Sequence, residues 1–313
     1  MKTQTAVTGL HHITAIASDP RQNVEFYTRV LGLRFVKKSV NQDDPGTYHL
    51  YYGDYHASPG TILTFFPWAG LRRGRPGTGQ AWATGFSVPH GSLPFWLDRF
   101  EKLGLDHDSI ESRFGDEVLA FGDPDGLRLE LVATKEPDPR PATPSDVIPA
   151  EFAIRGFHSS TLALTDARDT AKVLTESMGY RLVATETHRT RYAAGDGVAG
   201  TFVDLFTDPE LPRGLSGAGT IHHVAFRVAD DATEVAARTQ LLAAGLQVSP
   251  VIDRAYFKSI YYREPAGVLF EIATDGPGFT IDEPLELLGT KLGLPPHLEP
   301  HRAKIEAALP KLE

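Results

Sequence analysis

The 313-residue chain contains no cysteine. That removes disulfides, zinc–thiolate sites and thiol nucleophiles at once. A basic surplus is missing too: 31 Lys and Arg face 40 Asp and Glu, for a net charge of −9. Nucleic acid and anionic membrane both select for a basic face, so neither is an expected partner. No apolar run approaches the roughly 20 residues that cross a membrane, and the opening MKTQTAVTGLHH has no apolar signal-peptide core. A cytoplasmic location is the expectation. What remains is ordinary for a globular protein, with 41% hydrophobic and 23% charged residues. It is long enough for two domains.

The chief positive feature is a repeat of strand, helix and three strands. The four units span Gly9–Pro67, Ala81–Ala133, Gly156–Asp208 and Ile221–Asp275. Helices are predicted over Arg21–Leu31, Phe95–Leu103, Ala167–Met178 and Thr233–Ala244, closed by Gly32, Gly104, Gly179 and Gly245. The fold class is therefore α+β, built from four βαβββ modules. Thr134–Ala150 carries five prolines and reads as a stiff linker. It divides the chain into an N-terminal domain (1–133), the linker (134–150), a C-terminal domain (151–275) and a tail (276–313). The tail is expected on the outside, ending in a short helix near Glu299–Ala308. The run Arg72–Gln80 looks like a phosphate loop but lacks the closing Lys-Ser/Thr, and reads as a connector.

Units one and four open on paired histidines, GLHHITA and IHHVAFRV. Strand alternation puts Ile13, Ala15 and Ala17 on one face of the first strand, with His12 on the other. By the same parity His223 and, in VLFEIA, Glu271 stand opposite an apolar face. One strand histidine is more often a satisfied polar group than a ligand. Two at equivalent repeat positions, with an inward carboxylate that needs a partner, point to a metal. His12, His223 and Glu271 would form a 2-His-1-carboxylate triad, the arrangement of non-haem Fe(II) sites with open positions. Unit two offers Thr84 and Glu130 at the equivalent positions, unit three Ser159 and Asp204, and unit one's last strand Thr64. Without a nitrogen donor, Glu130 reads as a salt-bridge partner. The metal-competent site thus requires unit one to pair with unit four, leaving two with three. The other histidines, His49 among them, default to surface or packing roles.

Beyond these patterns, GLHHITA, DPGTYHLYYGD, SPGTILTFFPW and IHHVAFRV followed by DRAYFKSIYYREPAGVLFEIATD resemble the vicinal oxygen chelate superfamily over almost the whole chain. Within it the chain is similar to ring-cleaving dioxygenases of the hydroquinone 1,2-dioxygenase type. The resemblance implies two curved, barrel-like mixed sheets and the same three ligands. It implies iron(II) as cofactor, with manganese(II) as the alternative, and a small aromatic substrate and O₂ as partners. A homodimer is common for such folds. The resemblance also implies that His11, His222, Arg254 and Tyr261 act beside the metal, although simple alternation points His11 and His222 away from the cavity. Two other classes compete. A glyoxalase-like isomerase or lyase would use four protein ligands, against which Thr64 counts. A metal-free protein sequestering an aromatic compound or drug would not need the triad.

Overall fold

The computed structural model describes residues 7–312. Met1–Ala6, on which part of the signal-peptide reading falls, and Glu313 lie outside the described residues. Unit one comprises β1 (Gly9–Ala17), α1 (Pro20–Glu25), β2 (Arg34–Asn41), β3 (Asp44–Gly53) and β4 (Ile62–Pro67). Unit two comprises β5 (Gln80–Val88), α2 (Leu93–Leu103), β6 (Glu111–Arg113), β7 (Asp116–Gly122) and β8 (Arg128–Ala133). Unit three comprises β9 (Gly156–Leu164), α3 (Arg168–Lys172), β10 (Arg181–Glu186), β11 (Arg189–Ala193) and β12 (Phe202–Thr207). Unit four comprises β13 (Thr220–Val228), α4 (Asp231–Ala243), β14 (Ile252–Asp253), β15 (Phe257–Arg263) and β16 (Leu269–Pro277).

These strands form two curved, mixed, eight-stranded sheets of identical plan. One runs β14-β15-β16-β13-β1-β4-β3-β2, the other β10-β11-β12-β9-β5-β8-β7-β6. Units one and four therefore share one sheet and units two and three the other, as the ligand positions required. At the centre of the first sheet β1 pairs antiparallel with β13, and each pairs in parallel with its own unit's last strand, β4 or β16.

The apolar faces of the strands meet the helices. Leu10, Ile13, Ala15, Val224, Phe226, Phe270 and Ile272 are buried there, each large side chain contributing roughly 1.5–3 kcal/mol by leaving water. Helix α2 turns Leu93, Trp96 and Phe100 inward at the 3–4 residue spacing of one helix face. Asp19 accepts from the amides of Arg21 and Gln22 to start α1, and Asp230 accepts from Thr233 to start α4. Helices α1 and α3 each widen into a π turn, over Phe26–Val30 and Val173–Ser177, which simple helical periodicity does not foretell. Gly32 then stops the first helix at φ 71°, where a Cβ would lie 2.5 Å from the Ile148 side chain.

Residues 134–150 form no regular element, yet Thr143 and Ile148 are buried against the body. The connector after unit one pairs with residues 213–218 through bridges at Arg73, Arg75 and Thr78. Its Gly77 runs so close that a Cβ would lie 2.2 Å from the Pro212 carbonyl. The tail does end in the short helix α5 (Arg302–Ala308). It is not merely external, however. Lys37, fully buried on β2, binds Asp282 at 2.7 Å and also Glu283, and Tyr256 donates to Asp282. Those contacts draw the tail across the mouth of the first sheet.

Candidate active site

The inner face of the first sheet gathers what the outer face excludes. The His12 and His223 Nε2 atoms are 3.3 Å apart and lie 3.2 and 3.0 Å from Glu271 Oε2. All three residues are buried, and their candidate ligand atoms lie within 4.8 Å of one another. Strand parity on β13 and β16 accounts for His223 and Glu271. On β1 a register shift between Leu10 and His12 interrupts the alternation.

That irregularity lets both histidines of the first pair be used. His11 Nε2 lies 3.1 Å from the Thr274 carbonyl, which can only accept, so Nε2 carries the proton. Burial, aided by His12, lowers His11 to about 3, so the ring is neutral and its Nδ1 is an acceptor. His12 Nδ1, 2.9 Å away, must then donate to it. The His12 lone pair is thereby fixed on Nε2, facing Glu271. His222 stands in the same relation to His223, Nδ1 to Nδ1 at 2.8 Å. A proton on His223 Nδ1 leaves its Nε2 free in the same way. Alternation is thus corrected for His222, which lines the cavity, whereas His11 touches His12 without lining it.

Burial alone would raise the Glu271 carboxyl, but His12 and His223 against it hold it well below the usual range. Ser259 donates to Oε1, whereas Oε2 has no hydrogen-bond partner. With a cation in place of any proton here, the carboxylate oxygen and both Nε2 atoms would all be free to bind it. The donor set therefore fits a divalent cation of borderline softness, at bond lengths near 2.0–2.2 Å.

A cavity of about 440 Å³ opens beside the triad. Its walls include Phe66, Trp68 and Phe257, with Arg254 and Tyr261 at one side. Arg254 Nη1 lies 3.3 Å from Gln42 Oε1. Leu294, Pro295 and Pro296 of the tail complete the lining. His49 was missed in sequence. Its Nε2 is 2.8 Å from Thr64 Oγ1, and the Tyr51 hydroxyl is 2.7 Å from its Nδ1. Burial holds its pKa well below normal. The signal was present: Tyr48, Leu50 and Tyr52 form the core face of β3, which turns His49 and Tyr51 to the side of the triad.

The second sheet has no such donor set. Arg113 binds Glu130 at 2.8 Å, and Arg191 binds Asp204 through two bonds of 2.8 and 2.9 Å. Glu130 is the salt-bridge partner expected. The register of β5 corrects one alignment. Thr14 pairs with Thr64 and Gly85 with Glu130, so Ala83, not Thr84, is the counterpart of His12.

The sequence profile of the glyoxalase/bleomycin resistance protein/dioxygenase superfamily matches residues 9–131 and 156–272. The chain belongs to that superfamily. Among its members, MhqO of Bacillus subtilis (strain 168), named provisionally a ring-cleaving dioxygenase, is 47% identical over 96% of this chain and 95% of its own. The chlorohydroquinone/hydroquinone 1,2-dioxygenase of Sphingobium indicum is 35% identical over 94% of this chain and 93% of its own. A B. subtilis crystal structure, named provisionally a dioxygenase, superposes with a TM-score of 0.94 at 44% identity, covering 99% of both chains. Glyoxalase I of Zea mays shares the superfamily fold at a TM-score of 0.64 and 14% identity, over 85% of this chain and 92% of its own.

Proposed function

We propose that the protein is a ring-cleaving dioxygenase that opens a hydroquinone-type ring with O₂, using a divalent metal held by His12, His223 and Glu271. The observation that carries this reading is the set of three potential ligand atoms converging beside an aromatic-walled cavity. The names of its relatives favour the same chemistry. Iron(II), with manganese(II) as the alternative, would hold a phenolic oxygen and O₂ side by side and pass electron density between them.

The chain's own residues do the rest. His11 and His222 fix the ligand rings through Nδ1, which also keeps each Nε2 basic. Phe66, Trp68 and Phe257 confine a planar ring. A hydroquinone offers one oxygen where a catechol offers two, so its far oxygen needs protein donors. Arg254 and Tyr261 are placed to stabilise anionic oxygen there, the guanidinium as a permanent cation and the phenol as a hydroxyl donor. Burial raises the Tyr261 pKa, so the hydroxyl stays protonated. The tail residues exclude water.

The isomerase reading requires a fourth protein ligand. Thr64 at that repeat position has its hydroxyl engaged with Thr14 and His49, each at 2.8 Å. The decisive experiment loads the protein anaerobically with iron(II), adds hydroquinone, methylhydroquinone or catechol with O₂, and follows O₂ uptake and ring-opened product. Hydroquinones are expected to outpace catechol. Full iron occupancy without O₂ uptake on any diphenol would overturn the proposal.

A further inference from the structure

The second sheet lost the donors but kept the cavity. A space of about 450 Å³ lies between the β6–β7 turn, residues 134–140 that follow β8, and the beginnings of β9 and β12 with the loop before it. The β6–β7 turn, β8, β9 and β12 occupy the places in their sheet that the β2–β3 turn, β4, β13 and β16 occupy around the first cavity. Residue for residue, His158 stands where His222 does and Phe202 where Leu269 does. Ser159 replaces the ligand His223, and Asp204, counterpart of Glu271, is spent on Arg191. No cation could use this set.

What remains polar in the cavity is specific. His158 is fully buried, and its Nε2 has no hydrogen-bond partner. Its Nδ1 lies 3.1 Å from the Ser159 hydroxyl, which can donate to it and leave the proton on Nε2. Asp116 Oδ2 is 3.7 Å from Nε2, too far for a direct hydrogen bond. His158 Nε2 has almost no accessible surface, so a hydroxyl that accepts from it and donates to Asp116 enters with a small shift of the side chains around it. The walls are the rings of Phe114 and Phe202, with Val198 and Ala199. Phe114 and Phe202 are held by the Arg191 guanidinium at 4.4 and 4.8 Å.

We propose that this cavity is a second, metal-free binding site for a small, uncharged, hydroxylated aromatic, its ring against Phe114 and Phe202 and its hydroxyl between His158 and Asp116. The chemistry selects against anions. The lining carries the carboxylates of Asp116, Glu136 and Asp138 against the cations of Lys135 and Arg140, and Arg191, 3.5 Å from Asp116, is also bound by Asp204, so the cavity offers an anion no surplus of positive charge. The site takes no part in turnover.

The probe is 4-fluorophenol, titrated anaerobically into the metal-loaded protein and followed by ¹⁹F NMR. The wild-type chain is expected to bind one equivalent more than Ala199→Trp. Ala199→Trp, which fills the second cavity, should lose that equivalent while its hydroquinone-dependent O₂ uptake is unchanged. Asp116→Asn should weaken the second site at least tenfold, with its melting curve recorded to exclude unfolding. Benzoate should not displace the probe lost in Ala199→Trp. The same number of equivalents in wild type and Ala199→Trp, or displacement by benzoate, would each overturn the proposal. Because the readout is the difference between wild type and Ala199→Trp, it stands or falls separately from the dioxygenase reading.

Discussion

Arg254 Nε donates to the Tyr261 hydroxyl at 3.1 Å, and the guanidinium lies 5.1 Å from the centre of the same ring. The two side chains form one unit at the edge of the cavity. Arg254 makes no hydrogen bond to the triad, whereas the Tyr261 ring meets His223 edge-on with 6.0 Å between centres. Arg254→Ala is expected to lower kcat/KM by about 10²–10³, the usual cost of one oxyanion donor, with metal content unchanged. Steady-state kinetics beside elemental analysis checks this. Loss of metal in that variant would place Arg254 in a structural role.

Changing His12, His223 or Glu271 to Ala should remove the metal and leave a folded chain. Glu130→Ala should keep metal and activity, yet destabilise by about 3–5 kcal/mol because buried Arg113 loses its partner. Elemental analysis with denaturant melts distinguishes the two outcomes. A metal-free Glu130→Ala would refute the assignment of the two sheets.

His11→Phe retains the ring contact with Phe257 but removes the acceptor for His12 Nδ1. Metal affinity should fall about 10–100-fold, measured by competition with a chelator. An unchanged affinity would show that the His12 tautomer is set without His11.

Glu234 is buried on α4 with both carboxylate oxygens unpartnered, and burial raises it to about 7. A carboxyl raised above its unfolded value binds its proton more tightly when folded. Its destabilising contribution therefore begins near pH 4.5, grows as pH rises, and levels off above 7. Glu234→Gln should accordingly raise Tm at pH 8 by an amount worth roughly 1–3 kcal/mol and leave it nearly unchanged at pH 4. A gain independent of pH would contradict the titration.

Lys37→Met would leave Asp282 and Glu283 without their buried cation. The tail should then become sensitive to protease near residues 279–298, and KM should rise while metal content holds. Proteolysis that matches the wild type would mean the apolar contacts of Phe279 and Leu288 suffice.

Much of this architecture can be read from period and punctuation. Alternation in IHHVAFRV and VLFEIA identifies His223 and Glu271, and the unit pairing follows from the need to bring them to His12. Three features escaped for physical reasons. The irregular register of β1 brings His11 into contact with His12, and irregular pairing leaves no mark in residue type. The tail's place over the cavity depends on the Lys37–Asp282 contact, 245 residues apart in the chain. His49 looks like any strand histidine until β3 is known to border β4.

The β1–β13 seam has a consequence for biosynthesis. His12 and His223 are separated by 211 residues, so β1 emerges from the ribosome long before its antiparallel partner exists. Until β13 is made, the nascent chain carries an unpaired central strand edge, and the second sheet, whose units are adjacent in sequence, can close first. A metal held by His12, His223 and Glu271 would have to wait for unit four, because Glu271 lies on β16, the last strand made. The sheet of units two and three would serve as the template on which the sheet of units one and four is assembled.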